Sequence, residues 1–174
     1  VADDRGECTW AELADRVARL VNVLGAAGLG PGDTFALMMG NRREAFEAFW
    51  AAAHTGVTFV PVNWHWTADE LAYVIEDAGC RALVVDERFS AVATAALADP
   101  RTGSIELALV TGDTDVEGLQ SYETALVAAL AKMGNVSGVE SVIRVASRIQ
   151  GETNVRFFIE SVRMLAVGAL RLGR

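Results

Sequence analysis

The feature that most limits what this chain can fold into is an alternation carried through roughly its first 130 residues. Short apolar runs rich in β-branched residues, at 34–39, 57–62, 82–85 and 105–110, are separated by longer segments with apolar residues at helical spacing. The runs are bounded by turn residues and lack polar alternation, which is the pattern of strands buried on both faces. Strands alternating with helices in this way predict an α/β fold, doubly wound, with a mainly parallel sheet, right-handed crossovers and helices on both faces.

The helices between the runs announce their starts. Thr9 with Glu12, Asn41 with Glu44 and Thr67 with Glu70 each place a side-chain acceptor three residues before a glutamate that can reach back to the cap. After the first, Leu13, Val17, Leu20, Val21 and Leu24 form one face; after the second, Ala45, Phe46, Phe49, Trp50 and Ala53; after the third, Leu71, Val74 and Ile75. Gly28, Gly56 and Gly79 are the natural stops. Further helices are expected at 88–97 and 121–131.

Beyond Lys132 the character changes. Up to that residue nine basic and twenty acidic side chains leave a net charge of −11; from Met133 onward six arginines and three glutamates leave +3. The expected organisation is a unit at 1–132 and an unassigned two-helix tail at 133–174. In the tail, Val139, Val142, Ile143, Ala146 and Ile149 form one apolar face and Val155, Phe158, Ile159, Val162, Leu165, Ala166 and Ala169 another.

Charge and cysteine usage exclude several functions. A net charge of −8 opposes a nucleic-acid backbone, and the arginines form no stripe. Cys8 and Cys80 stand far apart with no ligand-like spacing, as core thiols of a reducing compartment do. No secretory leader opens the chain and no apolar run is long enough to span a bilayer, so the expected location is cytoplasmic. Val1 stands where a methionine would, as in a fragment or in a start codon translated literally.

Six short motifs then fall in order: Thr9-Trp10-Ala11-Glu12-Leu13, Gly28-Leu29-Gly30-Pro31-Gly32-Asp33, Gly40-Asn41, Ala53-His54-Thr55-Gly56, Val60-Pro61-Val62-Asn63 and Asp69-Glu70-Leu71. In this order, residues 6–131 resemble the N-terminal portion of the adenylate-forming (AMP-binding) superfamily, which includes acyl-CoA synthetases, peptide-synthetase adenylation domains and luciferases. The run from Pro61 to Glu70 is more similar to the acyl-CoA synthetase, or fatty-acid-CoA ligase, type. The resemblance implies a parent reaction in which carboxylate, ATP and CoA give acyl-CoA, AMP and pyrophosphate, with ATP, Mg2+ and CoA needed by the intact enzyme.

The resemblance also implies what this chain lacks. The family's phosphate loop is rich in Ser, Thr and Gly and ends in Pro-Lys-Gly, because backbone N–H groups and a lysine must hold the triphosphate. Here the prolines are at 31, 61 and 100, and the sole lysine, Lys132, is followed by Met133 and Gly134. The matching motifs are themselves scaffold: Gly30-Pro31-Gly32-Asp33 is a turn, Asn41 a cap and Pro61 a strand end. No catalytic, cofactor-binding or metal-binding residue is therefore assigned, and a truncated synthetase domain, inactive alone and binding no cofactor, is the expectation.

Several residues imitate sites. Thr111-Gly112-Asp113 has the letters of a ribose-binding motif but reads as a turn after the fourth strand. His54 lies within a helix and His65 in a loop between Trp64 and Trp66; two separated histidines are expected to be packed or solvated, and the two tryptophans to cover the sheet end. The competing reading is a non-catalytic α/β binding or interaction module. Expected partners are another copy of the chain or the remainder of a synthetase. The tail arginines Arg156, Arg163, Arg171 and Arg174 beside an apolar face would also suit an anionic membrane surface, a use ranked below core packing.

Overall fold

The computed structural model describes residues 2–3, 6–112 and 115–132. The two-helix reading of 133–174 and the position of Asp113 lie outside these. Elements run β1 (Ala2–Asp3), β2 (Gly6–Glu7), α1 (Trp10–Ala26), β3 (Thr34–Met38), α2 (Arg43–Thr55), β4 (Thr58–Pro61), α3 (Ala68–Asp77) and β5 (Cys80–Val85). A 3-10 turn at Glu87–Phe89, α4 (Ser90–Leu97), a second turn at Pro100–Thr102, β6 (Leu107–Val110), β7 (Gln120–Ser121) and α5 (Tyr122–Lys132) follow. Strands β3 to β7 form one parallel sheet in the order β4-β3-β5-β6-β7, and β1 and β2 form a separate antiparallel hairpin. The doubly wound reading therefore holds, with β7 and the hairpin added.

Period-two alternation sorts the strand side chains onto two cores. Phe35, Leu37, Ala82, Val84, Leu107 and Leu109 face α1, α2 and α5; Ala36, Met38, Leu83, Val85 and Val110 face α3 and α4. The fully buried stripe Leu13, Val17, Leu20 and Leu24 explains why α1 lies flat on the first core.

Two of the three predicted capping boxes form. Thr9 N–H donates to Glu12 at 2.7 Å and Glu12 N–H to Thr9 Oγ1 at 3.1 Å; the Thr67–Glu70 pair repeats the arrangement at 2.8 and 3.4 Å. The Asn41–Glu44 box does not form. Helix α2 starts later, with Arg42 at the cap position making no side-chain capping bond, so Glu44 falls one position too early to reach back and is buried instead. The acceptor comes from the hairpin: the Asp3 carboxylate takes the Arg43 N–H at 3.1 Å and the Arg43 guanidinium at 2.6 and 2.8 Å.

The run at 57–62 is also corrected. It forms an edge strand whose residues 58–61 are exposed or half-buried, not a strand covered on both faces. Thr58 and Val62 donate their N–H groups to Asp33 and Leu37 of the β3 side, so the alternate residues Phe59 and Pro61 direct their backbone outward. Pro61 has no N–H, which leaves Phe59 as the one ladder donor on that outer side.

A polar clasp joins three helices over the first core. Glu47 is fully buried; it accepts from Arg16 Nε at 2.6 Å and from Tyr122 Oη at 2.7 Å, while Arg16 also forks onto Glu123 at 2.6 and 2.9 Å. Burial pushes the Glu47 carboxyl above its usual range, and the Arg16 and Tyr122 bonds work against that push.

Tyr122→Phe should cost about 2 kcal/mol in urea unfolding, since a bond to a charged acceptor is lost. Arg16→Leu should cost ~3–5 kcal/mol because it strands a buried carboxylate, and adding Glu47→Leu should restore much of it. A carboxyl raised in the folded state favours folding below its unfolded value and loses that contribution as pH rises. The Arg16→Leu deficit should therefore shrink as pH falls from 7 towards about 4.3, the unfolded glutamate value.

Candidate functional site

Chain order makes one crevice in this sheet unlike the others. The chain leaves β3 for β4 on one side, then crosses back past β3 to β5 on the other, so the connections after β3 and β5 diverge. Open parallel sheets bind ligands outside the carboxyl ends of strands at such a switch point. A cleft of about 360 Å³ lies there, lined by Met39, Gly40, Asn41 and Arg42 after β3, Trp64 after β4, and Arg88 and Phe89 after β5.

Asp86 organises the cleft. Its N–H still follows the ladder, donating to the Met38 carbonyl at 3.0 Å, while its side chain is fully buried. That carboxylate accepts from Arg42 Nη1 at 3.1 Å, from the Arg88 N–H at 3.1 Å, and from Arg88 Nε and Nη2 at 3.0 and 2.5 Å. Burial by itself pushes the Asp86 carboxyl up; the Arg88 side-chain and backbone bonds and the Arg42 charge outweigh it and hold the group below the usual range. Arg42 is also 3.5 Å from Glu87 and 3.9 Å from Glu44.

The Arg88 side chain is 56% exposed and its guanidinium lies 5.3 Å from the centre of the Phe89 ring. Phe89 stacks on Trp64 at 5.6 Å and 22°, and Trp64 in turn lies against His65. The result is a flat aromatic shelf with a guanidinium held at its rim. Two glycines permit this closeness: a Cβ at Gly40 would collide with Arg88 Nη2, and one at Gly112, where φ is +92°, with the Glu87 carboxylate.

The arrangement can stack and position a flat group. It holds no nucleophile paired with a base, and its two arginines are matched by Asp86, Glu87 and Glu44, so it does not fit a triphosphate. Thr111 continues the ladder by donating to Val85 at 2.9 Å and Gly112 turns the chain away. His54 is half-buried in α2 and burial pushes its imidazole down; His65 is exposed, its ring against Trp64 and its N–H bonded to Asn63 Oδ1 at 3.0 Å. Cys8 and Cys80 are buried, the latter pushed up to about 11 by desolvation. Among the described residues no group of three or more His, Cys, Asp or Glu could hold a metal, and no helix is long and apolar enough to cross a membrane.

Sequence reasoning missed the Arg42–Asp86–Arg88 cluster and placed Trp64 as a cover for the sheet end. The available signal was positional: Asn41-Arg42 and Asp86-Glu87-Arg88 directly follow two buried runs.

Asp86→Asn should remove ~3–5 kcal/mol at neutral pH by leaving Arg42 without its buried carboxylate. A depressed carboxyl contributes stability above its unfolded value and loses it as pH falls, so the variant's unfolding should depend less on pH between about 5 and 2 than the parent's.

Likenesses to known proteins bear on this geometry. The family model described as "AMP-binding enzyme" matches residues 1–145. The chain is 32% identical over 131 residues to a 3-oxocholest-4-en-26-oate–CoA ligase of Rhodococcus rhodochrous, covering 72% of this chain and 23% of that protein. It is 34% identical over 84 residues to the fatty acid–[acyl-carrier-protein] ligase ScoC of Streptomyces coeruleorubidus, covering 48% and 16%. The crystal structure of the anthranilate CoA ligase AuaEII in complex with anthranoyl-AMP shares the fold, with a TM-score of 0.67 at 20% identity over 72% of this chain and 24% of that one. The chain thus spans less than a quarter of the length of each of these two ligases, and on the family match over 145 residues it belongs to the AMP-binding enzyme family, the adenylate-forming superfamily that its ordered motifs resemble.

Proposed function

We propose that the chain supplies the N-terminal portion of an AMP-forming carboxylate–CoA ligase, whose parent reaction converts carboxylate, ATP and CoA to acyl-CoA, AMP and pyrophosphate in the cytoplasm. The observation that carries this reading is the match of family order and fold, from the Thr9–Glu12 cap through the parallel sheet to α5. Fatty or related carboxylic acids are the substrate class favoured, in line with the Pro61–Glu70 run and with relatives named for a fatty acid and a steroid acid.

The chain alone does not adenylate. Attack on the α-phosphorus of ATP needs several fixed donors and a cation to offset the triphosphate charge. The switch-point arginines are already matched by carboxylates, and the sequence has no Pro-Lys-Gly loop. What the described residues do supply is a rigid wall of the parent site: a stacked Trp64–Phe89 shelf and an Arg88 guanidinium fixed by Asp86.

ATP–pyrophosphate exchange with the purified chain, Mg2+ and carboxylic acids from acetate to palmitate should stay at the no-protein level. Carboxylate-dependent exchange that survives repurification would overturn the reading of inactivity.

A further inference from the structure

Helix α2 is amphipathic in the reverse of the usual sense. Its charged side chains are committed to the fold: Glu44 and Glu47 are fully buried and Arg43 is held by Asp3. Its outward stripe is uncharged, with Phe46 53% and Phe49 45% exposed, Ala53 exposed and Trp50 half-buried beside them. The rings are seated firmly. Phe49 meets Trp50 edge-on at 5.1 Å and Phe59 of β4 at 5.8 Å, and Phe59 continues to Phe35 of the core at 6.2 Å. Scattered exposed apolar residues are ordinary, but contiguous aromatics where a surface helix normally shows charge mark a face that another surface covers.

We propose that this stripe is covered by the same stripe of a second copy, the two α2 helices packing antiparallel across a two-fold axis. In such a contact residue i meets j and j meets i. With the axis opposite the Phe49–Trp50 step, Phe46 of one copy falls on Ala53 of the other and Phe49 on Trp50, so a large ring meets a methyl group and aromatics meet aromatics. Charge points the same way. The residues up to Lys132 carry −11, and α3 exposes Asp69, Glu70, Glu76 and Asp77; copies approaching on such a surface repel, whereas α2 lets them meet without opposing like charges. Extension of the sheet past β4 is the competing way to join two copies, and Pro61 leaves that edge with Phe59 as its one outward donor. With about half of each ring open, the stripe offers roughly 300 Å² per copy against the ~800 Å² per partner of a standard interface. The dimer is therefore weak and reversible, and the firm seating of the rings limits the entropy lost on forming it.

The test is sedimentation equilibrium on the full chain with no nucleotide or carboxylic acid present. The weight-average mass should climb from one copy towards two between about 1 and 200 µM, the range of a weak interface. Ala53→Glu, at an exposed site outside the core, should hold the mass at one copy over that range, because its carboxylate meets the partner's Phe46. Phe46→Asp/Phe49→Asp should do the same, while Val127→Asp, on exposed α5 surface, should dimerise as the parent does. Thiol cross-linking with a short bismaleimide reads the register. An equimolar mixture of Phe46→Cys and Ala53→Cys should link severalfold more than either variant alone, since like positions lie roughly 10 Å apart along the paired helices. The native Cys8 and Cys80 are buried. A parent that stays one copy throughout, larger aggregates in place of a dimer, a dimer that survives Ala53→Glu, or a mixture that links no better than its components would overturn the proposal. So would loss of the dimer on Val127→Asp, which assigns it to another surface. None of these readouts depends on catalytic activity, so the ligase reading and this one fail separately.

Discussion

The pairing of β3 with β5 is the contact on which the rest of the molecule depends. Four residues of β3, from Phe35 to Met38, lie beside Ala82 to Val85, and the chain must cross from β4 over β3 to reach that register. The crossing forces α2 and α3 onto opposite faces, and so demands apolar side chains on both sides of the central strands. It also leaves a crevice where the two connections part. The buried Asp86 carboxylate joins Arg42 after β3 to Arg88 after β5. Architecture and site are thus consequences of one topological step.

Much of the architecture was legible because its signals are local. Thr9–Glu12 and Thr67–Glu70 carry their own caps, and the buried runs at 34–39 and 82–85 have no other stable use than a covered strand. The failures have separate physical causes, and at the second cap a distant partner replaces a local one. Asn41 and Glu44 have the right spacing for a cap, yet Asp3, forty residues upstream of Arg43, supplies the acceptor and Glu44 turns inward. The 57–62 run resembles the central strands in composition; its place at the edge is decided by chain order, which side-chain chemistry does not encode. β7, with two residues, carries too little pattern to be read.

The site was less legible than the fold. Arg42, Asp86 and Arg88 are unremarkable in sequence, since single charges after apolar runs are ordinary; they become a cluster when parallel pairing sets the ends of β3 and β5 side by side. Trp64 was visible as an aromatic beyond a strand, but stacking on Phe89 requires the loop after β4 and the turn after β5 to meet over the same crevice. The resemblance to a family supplied what spacing could not, namely which chemistry the absent loop would have performed.

Pro61 has a consequence for how the chain is made. Translation releases β3, α2 and β4 before β5 exists, so for a time β4 has Phe59 at an open margin and β3 has an unpaired side. A nascent chain in that condition invites pairing with its neighbour on the same messenger. On the β4 side the invitation is weak, because an intruding strand finds one donor, Phe59, and then a ring. The two margins of the early sheet are therefore unequal: the side of β3 that β5 will occupy offers a full ladder, while a single ring closes off part of the other.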